Sequence, residues 1–353
     1  QLDPKKVSIG IGQYSTQSDS NNNAYRNKGD GNSGKILIPA ALVTEAQRLG
    51  IKTAIADLTG YNGTPTANAY AEVGAYMLGT NTPSRSSYSG FDASIKSSKN
   101  GSNYISPLIK KDADGNVIGA SSCEGNGIYF LTDGEPNSSP DPLYLMKSAL
   151  NRSSFNLPDV TLPSGSERNN GMPQVGAFAK ALRDPTINPL GTNREIFTAV
   201  VGFGSVFDVN KTLDATKPLR DRVIRRLPYT NPKTGVTAER DFYNCENITN
   251  LDARNACNWG EKAHDDLSGV GGFGEGGFYS AQSTEDIVNS IVTFVSDLNQ
   301  TLPSVPSGTI IIPDDPYRAD SQLAVAYYPT LQPNVAENSV IWEGNLKKYT
   351  LNE

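Results

Sequence analysis

The sequence predicts an α/β fold built on a mostly parallel sheet with helices on both faces, and three observations carry the prediction. Apolar runs of strand length, at 128–131 and 196–201, alternate with helical segments, and the second run is rich in the β-branched residues that suit a strand buried on both faces. The loop Gly60-Tyr61-Asn62-Gly63-Thr64-Pro65-Thr66 opens an alanine-rich helix. The run Ile128-Tyr129-Phe130-Leu131 ends in Thr132-Asp133-Gly134-Glu135-Pro136. A hydroxyl at the mouth of a helix and a carboxylate at the carboxyl end of a buried strand are what an open α/β sheet uses to hold a divalent cation above its edge.

Taken in order, residues 7–14 read as a strand and 35–38 as its hairpin partner, stopped by Pro39. A helix over 44–49 ends at Gly50. The helix over 66–78 carries Ala67, Ala69, Ala71, Gly74 and Ala75, small residues that let it lie close on a sheet, and Pro65 at its start has no amide hydrogen to leave unpaired. Residues 79–126 form a polar, turn-rich insertion. The strand at 128–131 is followed by helices at 143–150 and 174–182 and by the strand at 196–201. A second insertion spans 205–266, and the domain, 1–300, closes with a strand at 278–280 and a helix at 285–298, where Ser283 and Asp286 resemble a capping box. The low apolar content of the insertions predicts that at least one projects from the domain. Residues 301–306 read as a linker, and 309–312, 323–328 and 340–342 as strands of a short β segment, so that 301–353 forms a second unit.

With 353 residues the chain is long enough to bury a large core. A net charge of -6 gives no bulk attraction to nucleic acid or anionic lipid, so any such contact needs a local patch. No run approaches the length of a membrane span, and no cleavable signal is recognisable. Thirty-three glycines, 22 prolines and only 19% charged residues describe long decorated loops of the kind found on secreted surface proteins. Cys245 and Cys257 flank a short polar stretch and close a loop in an oxidising compartment, or stay as buried thiols in a reducing one; Cys123 is left over.

The Thr64 and Asp133 loops resemble the second and third metal loops of von Willebrand factor A (VWA) domains, which have a Rossmann-like sheet. The first loop of that family, Asp-x-Ser-x-Ser, has no counterpart after an apolar run; Asp92-Ala93-Ser94-Ile95-Lys96 is the nearest approach and ends in Lys. The resemblance therefore implies a companion N-terminal segment that supplies the first strand, and a Mg²⁺ or Ca²⁺ site to which Thr64 and Asp133 contribute. Further residues narrow the family. Tyr104-Ile105-Ser106-Pro107, Cys123-Glu124-Gly125-Asn126, the strand into Asp133-Gly134-Glu135-Pro136-Asn137, and Val340-Ile341-Trp342-Glu343-Gly344-Asn345-Leu346-Lys347-Lys348-Tyr349 resemble the PilC/PilY proteins of type IV pili, including their ComC-like competence members. The last stretch is similar to the segment that leads into the carboxyl-terminal β-propeller of those proteins. This resemblance implies an extracellular protein at the pilus tip or outer-membrane surface that works with minor pilins in pilus biogenesis and adhesion, and in competent bacteria in DNA uptake.

Within the second insertion the basic residues outnumber the acidic ones. Lys217, Arg220, Arg222, Arg225, Arg226, Lys233 and Arg240 are the candidate DNA-binding residues, and Arg222, Arg225 and Arg226 recur at helical spacings of three and four that would form one cationic face. Asp112, Asp114 and Asn116 imitate the start of an EF-hand loop, but Val117 stands where that loop needs Gly, so a turn is the better reading. The lone histidine, His264, has no nucleophile or metal-ligand partner spaced around it, and the sequence reads as a non-enzymatic binding module. Two alternatives to DNA capture are a metal-dependent adhesin for protein or matrix ligands and a purely structural pilus-assembly factor.

Overall fold

A computed structural model describes residues 2–16, 31–58, 63–83, 88–110, 114, 116–118, 125–152, 162–165, 169–209, 213–230, 237–267, 271–298, 305–306, 312, 325–332 and 343–350. The chain is a mixed α/β protein. Strands β1 (Ser8–Thr16) and β2 (Ser33–Leu42) pair as an antiparallel hairpin. β2 runs through Pro39, where the sequence predicts a stop, because the register shifts between Ile9 and Ile11 and the proline falls in the resulting bulge. Helix α1 (Glu45–Ala56) likewise runs through Gly50. A mid-helix glycine costs about 1 kcal/mol relative to alanine. The Gln47 amide offsets it by tying the helix to Ile9 O and Pro39 O at 2.7 and 2.9 Å.

Helix α2 (Thr66–Leu78) is the axis of the core, with every residue but Val73 buried. It stops at Gly79, whose φ of 71° closes the last turn in the left-handed conformation glycine adopts without a Cβ clash. After the two-residue strands β3 (Lys99–Asn100) and β4 (Asn103–Tyr104), the chain enters β5 (Asn126–Thr132), helices α3 (Pro142–Ala149) and α4 (Met172–Arg183), and β6 (Ile196–Phe203). The hairpin β7 (Ile224–Thr230) and β8 (Thr237–Tyr243), helix α5 (Leu251–Gly260), strand β9 (Glu275–Ala281) and helix α6 (Thr284–Leu298) complete the domain.

Strands β5, β6 and β9 form a parallel sheet in that order, with β6 in the middle. This parallel part is smaller than the sequence predicts, since the other pairings among the described residues are antiparallel. On one face Phe130 meets Tyr14, Tyr70 and Trp259, with ring centroids 5.1, 6.3 and 5.0 Å apart, and Tyr70 Oη bonds to Thr198 Oγ1 at 2.7 Å. On the other face α6 lies so close that a Cβ on Gly127 would stand 2.4 Å from Phe294 Cζ, and Tyr129 Oη bonds to Ser290 Oγ. The capping box forms as the sequence suggests: Asp286 N donates to Ser283 Oγ and Ser283 N to Asp286 Oδ2.

Neither insertion stands off from the domain in its described residues, contrary to the expectation from composition. The first is held by Ile36 N donating to Ser94 Oγ and Ile95 N to Ile36 O, both at 2.9 Å, and buries Tyr104. The second supplies Phe242, Cys245, Cys257 and Trp259 to the core. Few apolar residues suffice when each is large and inserts into a core that already exists. Beyond the domain, β10 (Val305–Pro306), β11 (Val325–Gln332) and β12 (Glu343–Thr350) form a separate antiparallel sheet.

Candidate ligand-binding edge

The loops that follow β5 and precede α2 meet at the carboxyl edge of the parallel sheet. Thr64 and Asn137 join them reciprocally, Thr64 N donating to Asn137 Oδ1 at 2.8 Å and Asn137 N to Thr64 O at 2.9 Å. The amides at the start of α2 are not capped by a neighbouring side chain, since Pro65 occupies the cap position. Ser139 Oγ, from the loop after β5, accepts from Ala67 N at 3.2 Å and Asn68 N at 3.4 Å instead. That leaves the Thr64 hydroxyl unused by the helix. It sits against the turn after β5, where a Cβ on Gly134 would lie 3.2 Å from Thr64 Oγ1. Asp133, the residue before Gly134, is exposed.

Tyr14 forms the back of this edge. Its hydroxyl donates to Leu131 O at 2.9 Å, and burial, with the Asp133 carboxylate adding to it, pushes the phenol far above its ordinary pKa against the effect of Thr132. The phenol thus stays a donor at every ordinary pH. The contact also means that β1 approaches β5 through a side chain, and among the described residues β5 makes ladder bonds only to β6.

Thr64 thus lies against the turn that Asp133 opens. The two residues offer one hydroxyl and one carboxylate, whereas Mg²⁺ takes six oxygen ligands and Ca²⁺ six to eight. Among the described residues no three acidic, histidine or cysteine side chains converge on a point. The residues therefore fit a cation completed by water and by oxygens from another molecule. Ser94, in the nearest approach to the family's first loop, is buried in the first insertion, where its Oγ bonds to Gly90 O and Tyr104 Oη.

The predicted cationic face on the second insertion takes a different form. Arg225 and Arg226 lie on β7, not on a helix, and as consecutive strand residues they point to opposite faces. Arg226 forms a two-pronged pair with Asp241 at 2.7 and 2.9 Å, Arg225 Nη1 donates to Asp266 O, and Arg222 binds Lys217 O and Ala215 O. Arg240 is turned inward onto Asp297 at 2.8 Å. Lys217 stands 3.8 Å from Asp214 and Arg220 3.5 Å from Asp221, both largely in solvent. Lys233 lies outside the described residues, as do Cys123 and Asp112. Cys245 and Cys257 are joined by a disulfide with Cα atoms 5.6 Å apart. His264 is spent locally, its Nε2 against Pro228 O and its Nδ1 accepting from Asp266 N.

Two buried polar centres were not singled out in the sequence. Glu72 accepts from Thr82 Oγ1 at 2.5 Å, from Gly90 N at 2.8 Å and from Tyr104 Oη, and burial lifts its carboxyl to about 7. The signal was present, since Glu72 is the one charged residue in α2. The second centre gathers Arg240, Glu261, Lys262 and Asp297 beneath the β7–β8 hairpin, where burial raises the Glu261 pKa and lowers that of Lys262. Its members come from three separate elements, so no local pattern announces it. Comparison with protein-family models, curated proteins and solved structures yields no match to this chain.

Proposed function

We propose that this chain is a non-enzymatic, VWA-like ligand-binding module of the type IV pilus tip, of the PilC/PilY kind, acting in adhesion. The observation that carries the reading is the pairing of the Thr64 hydroxyl with the Asp133 turn at the carboxyl edge of a parallel sheet, neither side chain being taken up by helix capping. A hard cation bound there, Mg²⁺ or Ca²⁺, lacks protein oxygens on its outer side, and a carboxylate of a host or surface ligand supplies them. A companion segment lies between β1 and β5 and converts their side-chain contact through Tyr14 into a continuous ladder. Minor pilins are the assembly partners in this reading, and the site of action is the pilus tip or outer-membrane surface.

The test is binding of the chain to a carboxylate-bearing protein or matrix surface with and without chelator. Asp133→Ala and Thr64→Ala each weaken binding at least tenfold, and chelator removes it from the parent protein without further effect on the variants. Binding that persists unchanged in chelator sinks the reading. DNA uptake remains a second reading because Lys217, Arg220 and Arg222 share one exposed loop, with the Arg220 side chain 87% accessible.

A further inference from the structure

A cleft of about 450 Å³ opens at the far end of α2 from Thr64, a helix length of roughly 20 Å away. It lies between the carboxyl ends of α2 and α3 and the first insertion. Its size is that of a small-ligand site, but its lining mixes polar side chains with the apolar surfaces of Pro83 and Tyr144, more polar than the pockets that hold drug-like molecules. Asn81 builds one wall: its Nδ2 donates to Asn103 Oδ1 at 2.8 Å and Ser102 O at 3.0 Å, and its Oδ1 accepts from Ser148 Oγ at 3.1 Å. This bracing leaves the Asn103 amide nitrogen and the whole Asn151 carboxamide without other bonds among the described residues. Tyr144 contributes a part-exposed ring, and Lys147 and Arg152 contribute two cations, with no acidic residue in the lining.

Each component selects a ligand chemistry. Carboxamides that both donate and accept match the vicinal hydroxyls of a sugar. The face of Tyr144 suits the apolar CH face of a pyranose ring. Lys147 and Arg152 call for negative charge, and Lys147 has no acidic partner among the described residues. Two helix carboxyl ends, carrying partial negative charge, disfavour a phosphate dianion more than a singly charged carboxylate, and their carbonyls accept from the hydroxyls around it. We infer that this cleft is a saccharide site for a sugar bearing a carboxylate, a uronic acid. It shares no residue with the cation-dependent edge and does not depend on it.

Saturation-transfer NMR with the full chain tests the assignment, using D-glucuronate, D-glucose and inorganic phosphate as probes. Glucuronate gives dose-dependent transfer that chelator leaves unchanged, glucose binds at least tenfold more weakly, and phosphate does not compete. Lys147→Glu and Tyr144→Ala each abolish the signal, while Lys52→Glu, an exposed change on α1 outside the lining, preserves it. Circular dichroism on each variant establishes that it is folded, and Lys147→Ala replaces the charge reversal if that variant unfolds. Equal transfer from glucose, displacement by phosphate, or transfer that survives in folded Lys147 and Tyr144 variants overturns the inference.

Discussion

Glu72 shows how much one side chain can hold in place. A lone carboxyl on an otherwise uncharged, buried helix collects donors from residues 82, 90 and 104 and so fastens the first insertion to α2. Burial is the main cause of its raised pKa, about 7 in the fold against 4.5 for the unperturbed group, so between those values the folded state binds more protons than the unfolded one. Its linkage is complete below pH 4.5 and is lost as the pH climbs to 7, a decline of about 3 kcal/mol. Urea denaturation over that range therefore finds the parent protein losing more stability with rising pH than Glu72→Gln does. Parallel curves for the two proteins exclude the linkage. At the candidate edge, Thr64 and Asp133 were legible because each belongs to a short local pattern. Ser139 and Asn137, which hold those loops together, were not, because they act on residues more than seventy positions away.

Among the elements, α6 was readable because burial on one face leaves its period in the sequence, and α2, β5 and β6 because burial on more than one side leaves runs of small or apolar residues. The β7–β8 hairpin was not. Arginines spaced by three and four fit a helix as well as a ribbon, and the choice is made by Ile224, Leu227 and Phe242, which are buried against the core. Arg240 is where that hairpin is fastened, its guanidinium joined to Asp297 on α6 and stacked near Tyr229. With both partners of the ion pair mostly buried, at 19% and 22% side-chain exposure, Arg240→Ala leaves Glu261 and Asp297 to share Lys262 and costs about 3 kcal/mol. Chemical denaturation measures this directly, with Arg220→Ala as the contrasting surface change that leaves the midpoint where it was. Equal midpoints for the two variants deny the hairpin its anchor. The disulfide between Cys245 and Cys257 adds to the same region by shortening the loop before α5, worth about 3 kcal/mol in the chain-entropy account.

For the molecule as a whole, charge decides between surfaces. The net of -6 opposes a polyanion everywhere except where cations are local and solvent-facing; of the described candidate cations in ion pairs Arg220 is the most accessible, in a 217–222 loop whose charge Asp214 and Asp221 partly offset. If DNA is a ligand, titration of labelled duplex at several salt concentrations gives a log–log slope of no more than about -3, from three phosphate contacts, and reversal of Lys217, Arg220 and Arg222 to Glu removes it. Binding that survives that triple reversal locates DNA elsewhere or excludes this loop. The order of strands in the sheet has a further effect. β6 finds one neighbour at 126–132 and the other at 275–281, so its second edge has no partner until most of the domain has been synthesised. Such long sequence separations slow folding, toward milliseconds to seconds for sheet-dominated topologies. A growing chain that stops short of β9 leaves one edge of β6 unpaired, and the backbone donors and acceptors of that edge are open to pairing with another chain until β9 arrives.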